Sequence, residues 1–225
     1  MKRSIFLLAL ATLFANCVLA DESENYNFLF GFGLVTHAFS ETDIFNEWEA
    51  SEKEGKKTYN IKEFTGFEVF AEYFIFGDLA VGYKYQTMLG DKSYAVYYRP
   101  TESYGYDRRE IEIDNHLGYL NYSIAVGESR YWRLGGSAGW GKSIYKFTYQ
   151  YRPPVSDIRS EFNEKTDGAI VLLGLFADWG VDGSGGRIGY NRAIIDYDAI
   201  ELSNGDKETP EGSGQQLFID FRYAF

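Results

Sequence analysis

The sequence predicts an all-β chain closed into an eight-stranded antiparallel up-and-down transmembrane β-barrel, with short turns at one end and four long loops at the other. Three observations predict it. The chain stops on Leu217-Phe218-Ile219-Asp220-Phe221-Arg222-Tyr223-Ala224-Phe225. Its odd positions are apolar or aromatic and its even positions include Asp220 and Arg222, so a period of two gives one face suited to lipid and one suited to a polar interior. Seven further segments alternate in the same way, and the connections between them are by turns short and long. Beyond residue 20 the longest apolar stretch is Ala169 to Ala177, far short of the ~20 residues a membrane helix needs.

The N-terminus supports export. Lys2-Arg3 precedes the apolar run Ile5 to Phe14, and Val18-Leu19-Ala20 precedes the acidic Asp21-Glu22, which reads as a secretory signal peptide over residues 1–20, cleaved after Ala20. A lipid-bearing Cys17 would need small and aliphatic residues just before it, where Asn16 and Phe14 stand. Cys17 is the only cysteine and leaves with the signal, so no disulfide or thiolate metal site is expected in the remainder, and no cofactor. Removing Lys2 and Arg3 from 22 basic residues leaves 20 against 33 acidic ones, a net charge of −13, which argues against nucleic acid as a partner. Residues 21–225 suit one domain, with no linker-like composition inside them and no periplasmic domain expected beyond Phe225.

The first predicted strand, Asn27–Val35, sets Phe28, Phe30, Phe32 and Leu34 opposite Gly31 and Gly33. The second, Gly66–Phe74, sets Phe67, Val69, Ala71 and Tyr73 opposite Glu68 and Glu72. The third, Leu79–Thr87, alternates Leu79, Val81, Tyr83 and Tyr85 with Ala80, Gly82, Lys84 and Gln86. A three-residue loop, Ile75-Phe76-Gly77, joins the last two. Counting outward from it sets Tyr73 against Leu79, Val69 against Tyr83 and Glu68 against Lys84, an expected cross-strand ion pair.

The fourth and fifth strands meet around Glu128-Ser129-Arg130, a register that sets Tyr122 against Gly136, Leu120 against Ala138 and Gly118 against Trp140. It leaves Ile111 and Ile113 out of phase with Leu120, so a bulge is expected near Asp114 and Asn115. The sixth strand, Ala169–Trp179, has Asp178 as its one inward charge. The glycine-rich turn Gly180 to Gly186 leads to the seventh, Arg187–Ile195, where Arg192 points outward, and the C-terminal segment is the eighth. Loops Phe39–Lys62, Leu89–Arg109, Tyr149–Asp167 and Asp196–Gly214 are long, and the third and fourth strands are expected to project as a hairpin with its tip near Pro100–Gly105.

Alternation alone does not say which side of the barrel is apolar, since a soluble barrel would hide the apolar face inside. The C-terminal strand, the loop alternation and a polar face rich in glycine favour the membrane version with a narrow lumen. That lumen collects Glu68, Glu72, Asp178 and Asp220 against Lys84, Arg133, Arg187 and Arg222, a salt-bridged filling or a gate. Enzymatic options are poor. A deacylase of lipid A needs His and Ser two apart on one strand face, where His37 has Phe39, and His116 has Asp114 and Gly118. The loops Phe39–Lys62 and Asp196–Gly214 are acidic and read as solvated surface, with Trp48, Tyr104 and Tyr106 as candidate contacts for an extracellular ligand.

Taken with the C-terminal strand, the architecture resembles the small eight-stranded outer-membrane proteins, the group that includes the OmpA transmembrane domain, OmpX and the opacity-type surface proteins. The resemblance implies a Gram-negative outer membrane, contact with its lipids and lipopolysaccharide, and periplasmic chaperones and barrel-assembly machinery that read Phe221, Tyr223 and Phe225. It also implies a monomer. The functions expected are surface interaction or envelope integrity first, a narrow channel second and lipid modification third. The ending Arg222-Tyr223-Ala224-Phe225 departs from the Tyr-Arg-Phe ending common in the group.

Overall fold

A computed structural model describes residues 28–52, 55–76, 78–98, 103–127, 132–153, 160–181, 184–202 and 205–224. The expected signal peptide, Gly77, the turn Glu128-Ser129-Arg130 and Phe225 lie outside the described residues. Eight strands close a barrel: β1 (Phe28–Phe39), β4 (Glu63–Phe76), β5 (Leu79–Tyr98), β6 (Ser103–Val126), β7 (Trp132–Arg152), β8 (Ser160–Val181), β9 (Ser184–Tyr197) and β12 (Gly214–Ala224). Each pairs antiparallel with the next, and β1 closes the ring between β4 and β12. Two small hairpins sit in the loops, β2 (Glu47–Glu52) with β3 (Gly55–Asn60), and β10 (Ile200–Glu201) with β11 (Lys207–Glu208).

The outward residues form an apolar belt. Leu34, Phe67, Tyr83, Leu173, Leu175, Ile188, Leu217 and Phe221 lie exposed around the ring, with Tyr73, Tyr122 and Trp132 toward one edge and Trp140 toward the other. A water-soluble monomer does not carry a continuous apolar surface of this extent, whereas a bilayer requires one. The chain is therefore an outer-membrane β-barrel, crossing the membrane with strands.

Inside the belt, large residues sit opposite glycine. Phe70 pairs with Gly31, Tyr119 with Gly82, Phe176 with Gly135 and Phe218 with Gly189. A Cβ at Gly31 would come 2.1 Å from the Phe70 ring, and one at Gly189 2.3 Å from the Phe218 ring. Eight strands leave an interior only wide enough for side chains, and these rings fit because the facing residue has none.

Registers separate two outcomes. Tyr122 faces Gly136, Leu120 faces Ala138 and Gly118 faces Trp140, the large-to-small matches read from sequence. In the preceding hairpin the pairing is displaced by two residues: Tyr73 faces Val81, Val69 faces Tyr85 and Glu68 faces Gln86, with an irregularity between Phe74 and Phe76. β4 runs through Phe76 instead of releasing Ile75-Phe76 to a turn, which moves the pairing.

No bulge occurs near Asp114 and Asn115, where β6 keeps an unbroken register with both neighbours. Ile111 and Ile113 are simply inward and fully buried, on the same parity as Leu117 and Tyr119. What changes along β6 is the medium. Below, Leu120 and Tyr122 face lipid; above, Glu112 and Glu110 face outward beside Lys146 and Arg108, and the inward positions turn apolar. β5 and β6 pair onward to Tyr98 and Ser103, so this hairpin stands well clear of the belt, ~30 Å along the strand.

Candidate functional site

The lumen at belt level is filled by polar side chains, and the strand parity decides which. Seven of the eight lumen charges read from sequence come together: Glu68, Glu72, Lys84, Asp178, Arg187, Asp220 and Arg222. Lys84 Nζ donates to Glu68 Oε1 at 2.6 Å. The ion pair forms diagonally, because a lysine reaches one pair beyond its own rung. Glu68 Oε2 accepts from Gln86 at 2.6 Å, and Gln86 joins Asn115 and Gln216. Gln216 in turn meets His37 Nδ1 at 3.3 Å.

Arg187 is the hub. Its Nε donates to Asp178 at 2.7 Å and its terminal nitrogens to Glu72, which also accepts from Tyr119 (2.9 Å) and Asn121 (2.7 Å). Arg222 donates to the second Asp178 oxygen at 2.7 Å. The two central cations also rest on the rings that the glycines admit: Arg187 Cζ is 4.3 Å from the Phe176 centroid and Lys84 Nζ 4.8 Å from that of Phe218. Charge-assisted bonds and ring faces together replace the water these groups give up.

Arg133 stands apart. It bonds Asp78, in the short β4–β5 connection, and Ser123. Asp78 is a partner that the sequence reading missed, having counted Arg133 into the common layer. Among the described residues the layer therefore holds four carboxylates and three cations. The odd one is Asp220, fully buried, with no hydrogen-bond donor to either oxygen among the described residues. Of the expected assembly signal, Phe221 faces lipid with its ring 6.0 Å from Phe32, and Tyr223 is half-buried.

Above this layer the lumen has a second filling. Loop residues 43–48, read from sequence as acidic and solvated, turn into the barrel mouth. Asp43 Oδ1 accepts from the amides of Phe45 (2.8 Å) and Asn46 (3.0 Å), a local turn, and its other oxygen accepts from the Glu211 amide of the fourth loop. The turn drives Phe45 down among Tyr145 and Phe147, at ring separations of 6.2 and 5.2 Å. Trp48, expected as a ligand contact, is instead buried under Arg109, whose guanidinium lies 4.3 Å from its ring and donates to the Ile44 carbonyl. Tyr104 and Tyr106 do remain exposed.

Beside the ion-paired layer lies a void of about 20 Å³ bordered by Lys84, Leu117, Tyr119, Arg187 and Phe218. It has room for roughly one water.

Above the belt, charges pair along the outer face of the barrel. Lys146 bonds Asp114 at 2.7 Å and also Glu112, and Lys142 bonds Asp167 at 2.6 Å. Hydrogen bonding to Asp114, then to Glu112, raises the Lys146 ammonium above its ordinary value. Burial pushes the Asp114 carboxyl up, but donors from Lys146, Thr87 and Tyr85 outweigh it and hold the group below the ordinary carboxylate range. On the inner side, burial, with Asp107 beside it, pushes the Tyr149 phenol up to about 12. His116 lies on the outer face, with its Nδ1 2.7 Å from the Tyr83 hydroxyl and its ring beside Tyr85.

No family model matches the sequence, and no curated protein matches it. Among solved structures the chain is similar to Ail, the attachment invasion locus protein of Yersinia pestis, in complex with the heparin analogue sucrose octasulfate. That likeness has a TM-score of 0.48 at 11% identity over 89% of this chain and 100% of that one. It is also similar to the outer membrane protein OprG of Pseudomonas aeruginosa, with 0.48 at 12% identity over 90% and 97%. The outer membrane protease OmpT of Escherichia coli gives 0.39 at 11% identity over 91% and 99%. The barrel assignment itself rests on the closed strand register and the apolar belt.

Proposed function

We propose that this outer-membrane barrel is a sealed, non-enzymatic surface protein that acts through its extracellular face in adhesion or envelope integrity. The observation that carries this reading is the double filling of the lumen, an ion-paired layer at belt level and an aromatic plug above it. A solute path would have to break both. The projecting walls of β5 to β8 supply the surface, and the exposed Tyr104 and Tyr106 on it are the contacts assigned to an extracellular ligand. The histidines support a non-catalytic reading: His37 is buried against Gln216, Phe39 and Phe64, and His116 is held by Tyr83. Lipids and lipopolysaccharide meet the belt and the Lys142 and Lys146 row, and the β12 strand is the part that chaperones and assembly machinery read during biogenesis.

The test shortens the β5–β6 and β7–β8 projections above the Asp114 level to tight turns and measures attachment of intact cells alongside electrical conductance of the purified barrel. Lost attachment with a folded, silent barrel is the expected result. Unchanged attachment would overturn adhesion as the surface role, and substrate turnover by the unmodified protein would overturn the non-enzymatic reading.

A further inference from the structure

Among the described residues the belt-level layer is one cation short, and the geometry around Asp220 says how the deficit is met. Asp220 and Glu68 both pair with Gly33, from opposite sides of β1, so their side chains enter the lumen on one rung with only a glycine between them. A Cβ at Gly33 would fall 2.0 Å from Asp220 Oδ1; the carboxyl group fills the space that glycine leaves. Glu68 is the carboxylate that this rung sets across Gly33 from Asp220. Two ionised carboxylates are acceptors only and cannot bond to one another, and like charges in a dry interior cannot both persist.

The neighbouring strands offer no substitute. From β5, Lys84 and Gln86 are both engaged by Glu68. From β9, Arg187 stands directly across from Asp220 but bonds Asp178 of β8 and Glu72 of β4. On β12 itself, Arg222 bonds Asp178, and Gln216 bonds Gln86 and His37. β1 contributes only Gly33 at this level. The void beside the layer borders Lys84 and Arg187, not Asp220.

We infer that Asp220 and Glu68 form a proton-binding pair across Gly33, with one shared hydrogen completing the charge balance of the sealed lumen. The Asp220 hydroxyl donates to Glu68, and Glu68 keeps its bonds to Lys84 and Gln86. Counted with that hydrogen, the layer has three negative and three positive groups and no orphaned carboxylate, the arrangement in which a buried ionic cluster is tolerable. This goes beyond the surface role above and does not depend on it.

The test is infrared spectroscopy of the folded protein in lipid vesicles at neutral pH, reading the carbonyl band of a protonated carboxyl group. The expected result is one such band in the unmodified protein. It shifts when the protein is refolded in heavy water and when aspartate carboxyls carry a carbon-13 label, and it is lost in Asp220→Asn. Glu68→Gln should lose it as well, because the new amide can donate to an ionised Asp220. Absence of the band, failure of the aspartate label to move it, or its survival in Asp220→Asn would each overturn the inference. The labelling arm uses the unmodified chain and stands even if a variant does not fold.

Discussion

The two halves of this barrel are built from the same strands with opposite polarity. At belt level the outside is apolar and the inside carries Glu72, Arg187 and Asp178; above the belt the inside holds Phe45, Ile111, Ile113 and Tyr145, and the outside carries Glu112, Lys142 and Lys146. The strand pleat is continuous through the boundary, so the inversion owes nothing to backbone geometry. It follows the surroundings, because each face takes the polarity of the medium or filling it meets. The upper half is an ordinary water-exposed β-barrel core standing on a membrane one.

If that is right, the halves should fail differently. The largest effect is expected inside the membrane half. Arg187→Ala takes the bonded cation from Glu72 and leaves Asp178 with Arg222 alone, and should cost about 3–5 kcal/mol, read as a lower urea midpoint for unfolding from lipid vesicles. Phe45→Ala should cost about 3 kcal/mol or somewhat more by emptying the plug. Native-state hydrogen exchange should then rise in residues 43–48 and in the upper parts of β6 and β7, while the belt-level amides stay protected.

A smaller effect should come from Gly31→Ala, whose new methyl meets the Phe70 ring, at about 1–3 kcal/mol. Combining it with Phe70→Leu should recover part of that loss, and a strictly additive double-mutant cycle would deny the ring-on-glycine packing. The least effect is expected on the outer face. Lys146→Met should change stability by no more than about 1 kcal/mol, because the pair with Asp114 sits partly in water. The Asp114 carboxyl is held below its ordinary value, so its contribution is present above the unfolded carboxylate range and disappears as pH falls through the folded one. The wild-type and Lys146→Met midpoints should converge in acid and in high salt.

The belt, the strand parity and the eight-strand ring were legible in the sequence because lipid imposes a strict period of two, and because large-to-small matches such as Gly118 with Trp140 leave little choice of register. The Glu68–Lys84 pair was legible despite a register misplaced by two residues, since long side chains tolerate a diagonal. Two features escaped for one reason. Treating the apolar face as the outer face throughout turned Ile111 and Ile113 into evidence for a bulge, when they mark the level at which the interior becomes apolar. The same assumption left Asp43 to Trp48 as an acidic loop. Their signal was present as two large aromatics beside an Asp-initiated turn, but the cavity they enter exists only once the barrel has closed. The Asp78 partner of Arg133 was missed because it lies in a connection, where parity says nothing.

On the proposed reading the lumen is closed twice, by the ion-paired layer and by the aromatic plug. Planar-bilayer conductance of the natively folded protein tests it most directly, alongside a variant with residues 43–48 replaced by Gly and Ser, a Glu72→Ala variant, and the two changes combined. The expected result is silence from the unmodified barrel and from each single-layer variant, with discrete openings confined to the combination. Steady, reproducible openings from the unmodified protein would mean that the lumen is not sealed.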